Sequence, residues 1–148
     1  MRQGANRSCI HKVSAAAGVA LWWLGNQVRY MKIRVHNRTR GSVVADSADV
    51  ANTSETRREG LLKRSGLAPG EGLWIAPCEA VHCFFMKFTI DVLYLNKQKK
   101  VVKVRPSLKP WRISGCLRAH SVLELPEGQI AATGTVAGDQ LEFEKLDG

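Results

Sequence analysis

Residues 83–105 read CFFMKFTIDVLYLNKQKKVVKVR, and how this stretch divides decides the fold. β-Branched and aromatic residues crowd it, and turn-forming residues interrupt it. Cys83–Lys87, Asp91–Leu95 and Val101–Arg105 each have strand length, separated by turns near Thr89 and across Asn96–Lys100. No helical segment lies between them, so antiparallel neighbours are expected rather than βαβ units.

Toward the N-terminus the same reading continues. Gly72–Ala76 (GLWIA) is a strand that Pro77 ends. Met31–His36 alternates Ile33 and Val35 with Lys32 and Arg34, the pattern of a half-buried strand. Val43–Asp46 is its hairpin partner after the turn around Gly41, and Asp49–Ala51 continues the sheet. Then the period changes. Thr53 or Ser54 caps a helix through SETRREGLLKRSG, with Leu61 and Leu62 as its apolar face and Gly66 at its end. Toward the C-terminus, Pro106 and Pro110 bracket a loop carrying Trp111. Ser121–Leu125 is a strand stopped by Pro126, and Glu127–Thr133 reads as one helical turn. Gly138-Asp139 then turns the chain into a last strand, Gln140–Glu144. The fold expected is mainly β: an antiparallel barrel or jelly-roll-like sandwich of about eight short strands with one helix.

The 148 residues carry 22 Lys+Arg against 13 Asp+Glu, a formal charge of +9. Eight of those bases and no acid precede Asp46. In residues 1–30, Arg2, Arg7 and Lys12 lead into an apolar run, VSAAAGVALWWLG, from Val13 to Gly25. A secretory signal or weak anchor fits this pattern. So does an over-extended or disordered start before Met31, and so does a short helix. Under each reading, residues 1–30 are an N-terminal extension and residues 31–146 a single β-rich domain. The run is shorter than the roughly 20 apolar residues of a spanning helix.

Two stretches carry a family resemblance. One is Arg57-Arg-Glu-Gly-Leu-Leu-Lys-Arg64 followed by Gly72-Leu-Trp-Ile; the other is His82-Cys-Phe-Phe-Met-Lys87 followed by Ile90-Asp91. Leu108-Lys-Pro-Trp-Arg112, Ala119, Val122-Leu-Glu-Leu-Pro126 and Gly138-Asp139 follow in order. Over about residues 31–144 the chain resembles the family known as domain of unknown function number 192. The resemblance implies a compact β-rich domain, near jelly roll, in prokaryotic proteins that often bear an export signal. It implies no established reaction. The recurrent positions it would carry over are Arg57, Gly60, Leu61, Arg64, Phe85, Met86, Asp91, Glu124 and Asp139. The chain departs from the commoner pattern at Phe88-Thr-Ile, where the family often has a longer loop.

Several residue sets could carry chemistry. Cys78-x3-His82 and Cys116-x3-His120 repeat one spacing, and thiolate with imidazole is what zinc prefers. Cys78, His82 and Cys116 are thus metal candidates, set against a Cys78–Cys116 disulfide or inert structural thiols. The same groups, with Asp91 orienting an imidazole, would make a thiol–imidazole enzyme. Asp91, between Ile90 and Val92, needs a partner if buried. Arg57 and Arg64 are candidates, as a polar-ligand pocket or as an ion pair between helix and sheet. Phe85 and Met86 offer a ligand wall, and Trp111 a loop contact.

The expected function is a non-catalytic, envelope-associated or small-ligand- or partner-binding β domain. Its site would lie where the helix, the Phe-Met strand and the Pro-Trp loop converge, using Arg57, Arg64, Phe85, Met86, Asp91 and Trp111. One alternative is a thiol–imidazole enzyme or zinc site, zinc being the sole cofactor in question. The other is weak nucleic-acid or anionic-surface binding by the basic stretch 97–118. Membrane contact is expected only through residues 1–30. A signal there would mean export or the cell envelope, and its absence the cytoplasm.

Overall fold

The computed structural model describes residues 30–147. The basic–apolar opening and Cys9 lie outside them.

Nine strands and two short helices follow one another: β1 (Met31–Asn37), β2 (Ser42–Ala51), α1 (Ser54–Glu59), β3 (Glu71–Ile75), β4 (Ala80–His82), β5 (Ile90–Leu95), β6 (Val101–Leu108), β7 (Ile113–Gly115), β8 (Ser121–Pro126), α2 (Gln129–Thr133) and β9 (Leu141–Leu146). Seven strands form one sheet in the order β6-β5-β8-β3-β2-β1-β9, and β4 pairs with β7 in a second, small one. The sandwich reading holds and the closed barrel does not. The edge strands meet only at a corner, where Lys100 bridges Gln140 and Leu141 N–H donates to Lys99 O at 3.0 Å.

Every pairing is antiparallel except β2 with β3, which is parallel. That corrects the expectation of antiparallel neighbours throughout. Residues 52–70, including α1, are long enough to carry the chain back to the same end of the sheet.

Alternation along β5 and β8 builds two cores. Ile90, Val92, Tyr94 and Val122 face one, with Leu73, Ile75, Val81, Cys83 and Met86. Leu93, Leu95, Leu123 and Leu125 face the other, with Val35, Val44, Val101 and Leu141. All six residues of β5 are therefore buried, the pattern of a strand covered on both faces. The small β4–β7 layer and the loop behind it supply the cover on the first face.

Helix α1 is shorter than the sequence suggests. Thr53 caps it through a reciprocal hydrogen-bonded box with Thr56, but Gly60, at φ 49°, ends it after Glu59. Gly66 is not the cap. The break at Gly60 turns Leu61 into the core. Helix α2 forms where one helical turn was expected.

Cys83–Lys87 is not a strand. β4 ends at His82, and residues 83–89 form turns. Phe85 stands there at φ 64°, outside the extended region of regular strand backbone.

Candidate functional site: an exposed aromatic platform

The turn at residues 83–86 and the turn at residues 109–112 are fastened to one another through Cys83. Its carbonyl accepts from Met86 N–H at 3.3 Å and from Trp111 N–H at 2.8 Å, and its N–H donates to Arg112 O at 2.8 Å. Two turns pinned at one residue project two aromatic rings side by side. Phe85 and Trp111 have ring centroids 4.7 Å apart, at 60°. Behind them, Phe84 lies 5.9 Å from Trp111 and stacks on His82 at 4.9 Å. Ile113, paired with His82 across β4–β7, extends the same surface.

Both outer rings are in a costly position. Phe85 and Trp111 each take φ 64°, and each is more than half exposed, at 56% and 55%. Positive φ costs a bulky residue on the order of 1–3 kcal/mol. An aromatic pair recovers about 0.5–1.5 kcal/mol beyond its burial. Burial does not offset the remainder, because these rings are not in the core. Ile113 adds further exposed apolar surface, at 67%, while Leu117, at 90%, is exposed at the other end of β7.

Cations surround the apolar surface. Between Glu79 and Glu124 the chain has nine Lys and Arg and one acid, Asp91, which is buried. The stretch 97–118 is not uniformly available, however. Lys99 Nζ sits 4.9 Å from the centroid of Trp74, and Lys103 Nζ donates to Gly115 O at 2.7 Å. Lys87, Lys109, Arg112 and Arg118 are exposed next to the aromatic turns and β7. Among the described residues, none of these four is in a salt bridge. Glu79, half-buried and opposite Cys116, is the acid at the far end of this layer.

The other expected site residues are placed elsewhere. Met86 is buried in the core beneath the turn. Arg64 forms an ion pair with Asp49 of β2, which Lys32 also approaches at 2.6 Å. Arg57 donates to Ala76 O at 3.5 Å. Neither arginine pairs with Asp91, so that expectation is corrected. Asp91 Oδ1 accepts from Ser107 N–H and Oδ2 from Ile130 N–H, both at 2.9 Å. The first bond spans an irregularity in the β5–β6 register, and the second holds α2 at its N-terminus. Through these two bonds Asp91 ties β6 and α2 to β5.

The thiols lie on the first core face, Cys78 and Cys83 buried and Cys116 half-buried. Cys78 and Cys116 both come near enough to Tyr94 to bear on its ionisation, which burial pushes up to about 12. His82 stacks its ring on Phe84. Among the described residues, no three His, Cys, Asp or Glu side chains form a group that could hold a metal ion. Cys78, Cys83 and Cys116 are not joined to one another by a disulfide. Burial, with the charge of Glu124 in support, pushes the Cys83 thiol up to about 12, so it carries negligible thiolate at neutral pH.

Phe85 and Trp111 were legible as candidates, but Phe84, Ile113 and Leu117 were missed. The Pro110-Trp111 pair was the available signal, because the corner after such a proline favours residues that accept positive φ. A tryptophan in that corner is out of place unless something uses it.

This arrangement defines a small two-layer β domain with a pinned aromatic surface. The chain belongs to the family described as an uncharacterized ACR (DUF192), whose pattern matches residues 35–143. A UPF0127 protein of Thermococcus sibiricus is 30% identical over 120 residues, covering 73% of each chain. A UPF0127 protein of Pyrococcus furiosus is 41% identical over 68 residues, and the match spans 45% of this chain and 58% of that one. The fold is shared with a Sinorhizobium meliloti protein provisionally named a transcription regulator, at TM-score 0.70 and 21% identity over 80% of this chain and 98% of that one. A Novosphingobium aromaticivorans protein of unknown function shares it at TM-score 0.67 and 18% identity, over 94% and 99%.

Proposed function

We propose that this chain is a non-catalytic binding module whose contact surface is formed by Phe85, Trp111 and Ile113, backed by Phe84. One observation carries the reading: two exposed aromatic residues stand at positive φ in turns fastened to the same carbonyl, that of Cys83, by Trp111 N–H and by Met86 N–H next to Phe85. Strain of this kind persists where the surrounding structure enforces it, and it clusters at ligand contacts. Exposed apolar surface with a charged rim is the usual composition of an interaction site. Arg57, Arg64, Met86 and Asp91 serve the fold that holds the platform rather than touching a partner. A place in the cell envelope accords with the basic–apolar opening of residues 1–30.

Photo-crosslinking in cells tests the reading. A benzophenone amino acid is placed at position 85 or 111, with Lys63 on the exposed side of the α1 segment as control. Discrete adducts from 85 and 111, absent from 63, are expected. Adduct patterns indistinguishable from the control would overturn the proposal.

A further inference from the structure

We infer that the partner of this surface is an anionic phospholipid bilayer, onto which the β4–β7 layer docks by its loop tips. The inference rests on the binding-module reading above and names what that module binds. Three observations favour a lipid surface over a single-stranded nucleic acid, the other ligand a basic aromatic surface can take. First, the exposed apolar groups are of mixed type. Ile113, next to the Trp111 turn, is aliphatic and more exposed than either ring. Bases stack on aromatic faces and gain nothing comparable from aliphatic tips, whereas the acyl boundary of a bilayer accepts both. Second, the rings are not aligned as a stacking platform. Phe85 and Trp111 meet edge to face at 60°, so they do not offer two parallel faces to successive bases. Third, Lys87, Lys109 and Arg112 are exposed within two residues of Phe85 or Trp111, at the apolar tips rather than along a groove. Tips that enter the boundary region would bring these cations to the phosphate level, where each gains from a negative leaflet. The charge complementarity is one-sided at the tips, because between Glu79, at the far end of the layer, and Glu124 the lone acid is the buried Asp91.

The test is sedimentation of the full chain with vesicles of phosphatidylcholine, either pure or mixed with anionic phosphatidylglycerol. Residues 1–30 carry their own basic–apolar stretch, so each variant is read against the parent chain with that stretch intact. Binding to the anionic vesicles, weakened by added salt, is expected, with little binding to pure phosphatidylcholine. Phe85→Asn with Trp111→Asn should weaken it about tenfold or more, through lost apolar insertion. Lys109→Glu with Arg112→Glu, which leaves the rings in place, should weaken it by a similar factor. No binding by the parent, or equal binding by parent and both variants, overturns the inference. So does tighter binding to a single-stranded oligonucleotide than to vesicles. Cellular crosslinks from 85 and 111 that hold protein or nucleic acid would overturn the lipid assignment and leave the binding module standing. Crosslinks matching the control would remove both.

Discussion

Strands β1, β2 and β9 handle charge and apolar surface in one way, and the β4–β7 layer with its two turns in the opposite way. In the first region charges are matched. Asp49 holds Lys32 and Arg64, Glu144 faces Arg34 and His36, Glu142 meets Arg38, and Asp139 meets Arg40. Its partly exposed ring, Phe143, packs edge-on against Trp74 at 5.1 Å, with Lys99 over both. In the second region the cations have no acidic partner among the described residues, and the rings face outward on strained backbone. Stability accounts for the first arrangement. It does not account for the second, and the difference is the reason for assigning contact with a partner to the β4–β7 layer.

Substitutions should separate the two kinds of residue. The largest loss is expected from the shared core. Leu93→Ala, deleting a fully buried side chain on β5, should cost about 3–4 kcal/mol in chemical denaturation. Next comes Asp91→Ala, which leaves the N–H groups of Ser107 and Ile130 without their acceptor, at about 3 kcal/mol. A loss below about 1 kcal/mol would return Asp91 to the list of functional candidates.

Asp139 sharpens the comparison through pH. Burial would raise its carboxyl, but hydrogen bonds from Arg40, Asn37 and Val136 N–H outweigh burial and hold it below its ordinary 3.8. A depressed folded value means that the unfolded chain binds protons first. The contribution is thus complete above the ordinary value and is lost as pH falls through the folded one. Asp139→Asn should cost about 2 kcal/mol at neutral pH and flatten the acid side of the stability profile. An unchanged acid slope would show that the carboxylate is not held as described.

Cys83 provides a check without mutation. Its buried, strongly raised thiol should resist a thiol reagent in the native protein at pH 8 and react once denatured. Rapid native labelling at Cys83 would reopen a nucleophilic role. The smallest effect on stability is expected at the platform itself. Trp111→Asn places a residue that tolerates left-handed backbone where tryptophan is strained, and should change stability by less than about 1 kcal/mol in either direction.

Much of the fold was readable because period-2 alternation is a local property. β1, β5 and β8 follow directly from their own side chains, as does the Gly138-Asp139 turn before β9. The parallel β2–β3 pair was not readable, since nothing in either strand records which neighbour it will meet after a crossover. The α1 segment misled because Leu61 and Leu62 have helical spacing from the polar turn before them, while Gly60 decides the break. The site was half readable. Trp111 follows a proline in a loop and Phe85 lies in an aromatic run, so both stood out as residues. Their meeting depends on Cys83 O, a backbone acceptor joining positions far apart in sequence, which side-chain identities do not encode. The same holds for Asp91. Its carboxylate implied a partner, and two backbone N–H groups were the answer where arginine had been expected.

The most direct measurement combines stability and binding in one variant. Phe85→Asn with Trp111→Asn should unfold within about 1 kcal/mol of the parent, as relief of positive φ offsets the lost ring pair, while losing about tenfold or more in affinity for anionic vesicles. A variant that unfolds about 3 kcal/mol more easily yet binds vesicles as the parent does would show that the rings serve the fold, and would contradict the account.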